Sequence, residues 1–340
     1  MKRKDFLSSV VPFGALVTSF VKEDDTLIHR NKTIQPPFLQ AGDTVAISSP
    51  AGYISLEDIQ PAIQKLTEWG FKIKIGDTIG KKDNSFGGTD VERKNDLQQL
   101  LDNKEIKAIL CARGGYGTMR IIDQLDFKLF KRNPKWVIGF SDITLLHCHI
   151  NSNFRIASIH SKMCNSFPKD WNSADAIQQE TIQSIYDTLI GTPINISFLP
   201  NSNNRKGTIQ GELIGGNLRT IESILATKSD INTTNKILFI EDTGEYLYGI
   251  DRMLLHLKRS KKLSKLKGLV VGGFKIKKDD EGEEFGKTLE EIILEHVSEY
   301  NFPVCFDFPT GHQKNNLALK CGANYQLTIH ENECSLTEIQ

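Results

Sequence analysis

Residues 107–123 read KAILCARGGYGTMRIID, an apolar run that breaks at a glycine-rich turn and resumes at helical spacing. Residues 106–112 have the length and β-branching of a buried strand, whereas Met119, Ile122 and Leu125 recur on one face of a helix. Gly114, Gly115 and Gly117 can take positive φ without a Cβ clash, so the chain can reverse sharply between the two. Thr118 is thereby expected exposed at a helix N-terminus, where unpaired backbone N–H groups favour a developing oxyanion. This is the physics of a nucleophile elbow, although the usual Gly-x-Ser-x-Gly string is absent. The same layout also suits a phosphate cradle or a plain tight connection.

Outward from this turn the chain alternates strands and helices. Residues 44–48 read as a strand ending in Ser49-Pro50-Ala51-Gly52, 56–69 as a helix, 71–75 as a strand, 93–101 as a helix and 136–139 as a strand before Ser141-Asp142. That alternation predicts an α/β fold with a mostly parallel sheet, whose ligands bind outside the carboxyl ends of the strands. Residues 166–206 are polar and contain Pro168, Pro193 and Pro200, the composition of a linker between domains at 38–165 and 207–335. In the second half, a strand at 208–214 leads through Gly215-Gly216-Asn217 into a helix at 218–226, whose start is open to an anion or a peptide carboxylate. Further strands at 236–240, 269–274 and 303–308 and helices at 250–263 and 289–297 carry the chain past Glu241-Asp242 to Gly311-His312.

At 340 residues the chain exceeds what one core usually organises, so two domains are expected. Lys+Arg and Asp+Glu both number 42, which leaves no basic surplus for nucleic acid and no acidic tail. The six cysteines form no Cys-x-x-Cys pair and sit mostly in apolar runs, as core thiols do. Lys2, Arg3 and Lys4 precede a mostly apolar stretch at 6–20, the pattern of a signal peptide over residues 1–20 with a twin-arginine-like flavour. Export to the periplasm is the expectation, with a cytoplasmic extension as the alternative. The stretch is too short and too broken by Pro12 and Gly14 for a stable membrane span.

Five segments then occur in a recognisable order: CARGGYGTMR at 111–120, VIGFSDITLL at 137–146, GELIGGNLRT at 211–220, FIEDTGEYLYGIDRM at 239–253 and Gly311-His312. Over roughly residues 38–330 the chain resembles the LD-carboxypeptidase family, serine peptidases that trim murein peptides and include the microcin C immunity peptidases. The resemblance implies a flavodoxin-like N-terminal domain, a C-terminal mixed α/β domain of barrel-like form, and an active site between them. It also implies release of the terminal D-alanine from a murein tetrapeptide, by a triad mapped to Thr118, Glu241 and His312, with threonine where the family usually has serine. No cofactor or metal is called for, and a homodimer is expected. A non-catalytic murein-peptide receptor and an aminoacyl-nucleotide amidase of the microcin branch are the alternatives.

The chemistry asks for a nucleophile, a base and an acid group that orients the base. Histidine suits the base because its pKa lies near neutrality, and a carboxylate on the far ring nitrogen fixes its tautomer. Glu245 competes with Glu241 on physical grounds; the resemblance favours Glu241. The Met119 N–H comes directly after the expected nucleophile and is the natural oxyanion donor, with Gly88 or Gly87 as a second. Arg113, Tyr116, Gly216 and Asn217 are the candidates for substrate binding, and Arg120, Arg219 and Arg252 are further guanidinium groups able to grip a carboxylate. Ser141-Asp142 is read as a cap on the helix beginning at Ile143, supporting the elbow from beneath. His147, Cys148, His149 and His160 look like a metal cluster at first glance, but His147 and His149 point to different helix faces.

Overall fold

A computed structural model describes residues 33–339, all within one compact unit. The expected signal segment, residues 1–20, lies outside the described residues. The chain runs β1 (Thr44–Ser48), α1 (Gln60–Glu68), β2 (Lys72–Ile75), α2 (Asp90–Asp102), β3 (Ile106–Cys111), α3 (Lys128–Arg132), β4 (Trp136–Gly139), α4 (Thr144–Phe154), β5 (Ser158–His160) and α5 (Ala176–Ile190). It continues through β6 (Asn195–Phe198), β7 (Gly207–Asn217), α6 (Leu218–Ser223), β8 (Ile237–Thr243), α7 (Leu247–Arg259), β9 (Gly268–Lys275), α8 (Leu289–His296), β10 (Val304–Cys305), β11 (Leu319–Cys321), β12 (Asn324–Ile329) and β13 (Cys334–Glu338).

The first sheet has the order β11-β5-β4-β3-β1-β2, with β1 to β5 parallel and β11 antiparallel at the edge. Its central strands β1, β3 and β4 are buried almost throughout, as strands covered on both faces must be. The second sheet, β10-β9-β8-β7-β12-β13-β6, is parallel from β7 to β10 and antiparallel through β12, β13 and β6. This is an α/β fold with two sheet-containing domains. One apolar cluster joins Ala46 and Ile109 of the first sheet to Ile214, Leu238 and Ile240 of the second. The two sheets therefore share a core, in which each buried Ile or Leu contributes about 1.5–3 kcal/mol.

Local signals explain the boundaries. Pro61 stands in the first turn of α1, which begins at Gln60 rather than 56. Thr89 and Glu92 form a reciprocal capping box that starts α2 three residues before the apolar pattern does. Two expectations need correction. Residues 166–206 are not a bare linker: α5 occupies the stretch between Pro168 and Pro193, and β6 joins the second sheet. The turn at Gly117 opens onto two single-turn 3-10 helices, Thr118–Arg120 and Ile122–Gln124, not an α-helix. All six cysteines are buried free thiols. Among the described residues no helix is long and apolar enough to cross a membrane.

Candidate active site

At the carboxyl end of β4 the chain turns at Phe140 into a 3-10 turn, Ser141–Ile143, and then α4. Ser141 has φ +62°, a left-handed conformation that costs a non-glycine residue about 1–3 kcal/mol and persists only where the fold imposes it. A strained serine on a sharp strand-to-helix turn is the nucleophile-elbow arrangement, and here it lies at residue 141. Gly114 makes the close approach possible: a Cβ there would stand 3.0 Å from the Ser141 Cβ and 3.3 Å from its Oγ.

Thr118 supports this elbow from one side. Its side chain is 0% exposed, its N–H donates to Asp142 Oδ2 at 2.9 Å, and its hydroxyl lies 2.6 Å from the same oxygen. Burial pushes the Asp142 carboxyl up, opposed by the Thr118 hydroxyl and N–H, the Arg93 guanidinium and the Gly117 N–H. From the other side the His147 ring donates through Nε2 to the Gly139 carbonyl at 2.9 Å, and burial lowers its pKa to about 4, so it is a neutral prop.

Arg93 ties the neighbouring loops together. Its guanidinium is buried and donates to the carbonyls of Pro50 at 2.6 Å, Gly117 at 2.8 Å and Gly88 at 3.2 Å, and it pairs with Asp90. The fixed fork of donors suits three converging carbonyls, and a lysine would lack the geometry. Arg93 is invisible to sequence reasoning, because a buried charge on an otherwise polar helix start has no periodic signature.

The second sheet brings together the expected base and its partner. Glu241, near the end of β8, is 0% exposed, and its Oε2 is hydrogen-bonded to His312 Nδ1. That bond assigns the proton to Nδ1 and leaves Nε2 as the basic nitrogen. Gly311 (φ +91°) must be glycine, since a Cβ there would overlap the Glu241 side chain. The His312 ring packs 4.9 Å from the ring of Phe140, the residue directly before Ser141. Lys162 joins the two halves: its Nζ donates to the Gln313 carbonyl at 2.7 Å and sits 5.4 Å from the Phe140 ring centre. Burial, with Lys275 nearby, lowers the Lys162 pKa to about 8.

The LD-carboxypeptidase N-terminal domain family matches residues 45–161, and the LD-carboxypeptidase C-terminal domain family matches residues 210–327. A probable murein peptide carboxypeptidase of Bacillus subtilis is 33% identical over 308 residues, covering 87% of this chain and 92% of its own. The murein tetrapeptide carboxypeptidase of Pseudomonas aeruginosa is 28% identical, covering 82% and 91%. Among solved structures, a muramoyltetrapeptide carboxypeptidase from Oxalobacter formigenes superimposes with a TM-score of 0.78 at 27% identity, covering 87% of this chain and 99% of that one. This chain belongs to the LD-carboxypeptidase family.

Within this LD-carboxypeptidase fold the expected residues divide sharply. Glu241 and His312 meet, and Glu245 is elsewhere, 3.7 Å from the Arg219 guanidinium. Thr118 is not exposed at a helix start; its N–H and hydroxyl are both engaged by Asp142. The Met119 N–H therefore does not adjoin an exposed hydroxyl, which removes the reason for an oxyanion role. Gly88 serves a turn (φ +103°) whose carbonyl accepts from Arg93, and the Gly87 N–H donates to the Ala51 carbonyl at 3.0 Å.

Gly216 and Asn217 bind protein rather than open space. Gly216 packs against Thr144; Asn217 caps α6 at Thr220 and donates to Asp242 Oδ1 at 3.0 Å, while its N–H donates to Thr144 Oγ1 at 3.0 Å. Arg120 pairs with Asp90, Arg219 with Glu222 and Glu245, and Arg252 lies over Tyr248. Arg113 and Tyr116 remain at the surface beside the Gly114 turn. His149 binds Ser229 Oγ at 2.9 Å, apart from His147, and among the described residues no His/Cys/Asp/Glu group is arranged to hold a metal.

Proposed function

We propose that the protein hydrolyses the L,D-amide bond of a murein peptide, releasing terminal D-alanine from a tetrapeptide, with Ser141 as nucleophile, His312 as base and Glu241 as the group that orients it. The observation that carries this reading is the buried Glu241–His312 pair beside Phe140, one residue from a serine held at positive φ. His312 Nε2 takes the Ser141 Oγ proton as Oγ attacks the scissile carbonyl. The tetrahedral oxyanion is assigned to backbone N–H groups, that of Asp142, directly after the nucleophile in sequence, and that of Gly115, in the turn that packs on Ser141 through Gly114. Collapse breaks the C–N bond, and the imidazolium gives its proton to the departing amine of D-alanine. Water, deprotonated by His312, then cleaves the Ser141 ester and restores the hydroxyl.

The names of the Bacillus subtilis and Pseudomonas aeruginosa relatives support the murein substrate. Parallel order β2-β1-β3-β4-β5 supports a flavodoxin-like reading of the first sheet. Export over residues 1–20 and homodimerisation belong to the same proposal; N-terminal sequencing of the secreted protein and sedimentation check them. The central test is release of D-alanine from a murein tetrapeptide, read by mass spectrometry. Wild type releases it, Ser141→Ala does not, and an undiminished rate in that variant overturns the assignment.

A further inference from the structure

We propose that the cavity among the loops after β1, β2 and β3 is a subsite for a carboxylate of the substrate peptide away from the scissile bond. The cavity is about 290 Å3 and its lining includes Tyr53, Lys82, Ser85, Arg113, Gly115 and Tyr116. This inference rests on the hydrolase reading and adds to it the chemistry of one recognition pocket.

The cavity sits where a doubly wound sheet binds its ligands. In the parallel order β2-β1-β3-β4-β5, β1 and β3 are neighbours whose connections leave on opposite sides, so their carboxyl ends open a crevice at the switch point. The cavity occupies that crevice. Its wall is tied to the reacting centre through the backbone: Gly52 N–H donates to the Gly114 carbonyl at 2.9 Å, Gly114 approaches Ser141, and Gly115 lines the cavity.

Its charge is one-sided: two cations and no carboxylate line it. Neighbouring Lys81 and Arg120 are neutralised by Glu92 and Asp90. Among the described residues, by contrast, no carboxylate lies within ion-pairing distance of Lys82 or Arg113. Asp58 feels Arg113 at longer range, but its carboxylate is engaged by the Ser55 hydroxyl at 2.7 Å. One Arg113 donor goes to the Tyr53 carbonyl at 3.1 Å, which orients the fork and leaves a planar face suited to two parallel bonds with a carboxylate. The Lys82 ammonium stands 5.2 Å from the Tyr53 ring centre, held over an aromatic face. The volume lies at the bottom of the range for small-molecule pockets and is ample for a side-chain carboxylate.

The test uses the full chain carrying Ser141→Ala, so that substrate binds without turnover, and calorimetry with murein tetrapeptide bearing free or amidated internal carboxylates. The free acid is expected to bind about tenfold more tightly than the amide. Adding Arg113→Met or Lys82→Met should weaken the acid about tenfold and leave the amide unchanged. In the Ser141 enzyme the same substitutions should raise KM with kcat retained. Equal losses for acid and amide, or no loss in either variant, overturn the subsite. If the Ser141 enzyme releases D-alanine while both variants keep the acid preference, only this inference falls. If the tetrapeptide is neither bound nor cleaved, the hydrolase reading falls with it.

Discussion

In the proposed mechanism Ser141 and Thr118 trade the roles that their surroundings in sequence assign them. Three glycines before Thr118 announce a sharp turn, whereas Ser141 comes after a plain buried strand and reads as a helix cap. A positive φ at a non-glycine residue is strain imposed by tertiary contacts, so no local pattern reports it. The family resemblance, not the residues alone, joined Glu241 to His312 in advance, and Asp142 supports the turn by accepting from Thr118 instead of capping the helix that follows. Thr118→Ser keeps the hydroxyl bond to Asp142 and should remain close to wild type in rate and stability. Thr118→Val leaves a buried carboxylate short of a donor, so stability should fall by about 1–3 kcal/mol in urea titrations and kcat should drop as the elbow shifts. A Thr118→Val protein of wild-type stability would mean that the bond to Asp142 contributes nothing. Lys162 gives a pH signature: with its pKa lowered to about 8, wild-type kcat/KM should decline above that pH as the ammonium near Glu241 is lost. Lys162→Arg stays charged and should push this alkaline limb upward; coincident profiles would exclude Lys162 as its source.

At the scale of elements, the strands were the legible part. β1, β3, β4 and β8 fall within a few residues of their apolar runs because burial on both faces leaves so plain a trace. α5 was hidden by composition, although all three prolines of 166–206 flank it, Asp175 caps its start and Gly191 ends it in the left-handed conformation. The glycines before Thr118 signalled the reversal correctly but not the pair of 3-10 turns beyond it. Gly114→Ala would drive a methyl to within 3.0 Å of the Ser141 Cβ, and should cut kcat by about tenfold or more while thermal stability changes little. Asp242, whose carboxyl anchors the first turn of α6 through the Arg219 N–H at 2.8 Å, is raised by burial to about 6. Between the ordinary value of 3.8 and about 6 the folded chain binds more protons than the unfolded one, so this group makes stability fall as pH rises through that window. Asp242→Asn should remove that slope in urea midpoints measured on either side of it; an unchanged slope would assign it to other groups.

For the whole molecule, each sheet holds half of the chemistry. Ser141 hangs from the first, Glu241 and His312 from the second, and Lys162 with the shared apolar cluster locks them in register. The convergence of strand ends on one cleft comes from the βα alternation and was readable in advance. The return of β11 was not: this three-residue strand crosses back from the second half to pair with β5. A segment that short has no periodicity to recognise, and its pairing joins residues as far apart in sequence as Leu319 and His160. The central question is which hydroxyl carries the acyl group. Acid quenching of wild type during turnover of a murein tetrapeptide, followed by peptide mapping, should find the ester on the fragment containing Ser141; an adduct on Thr118 would contradict it.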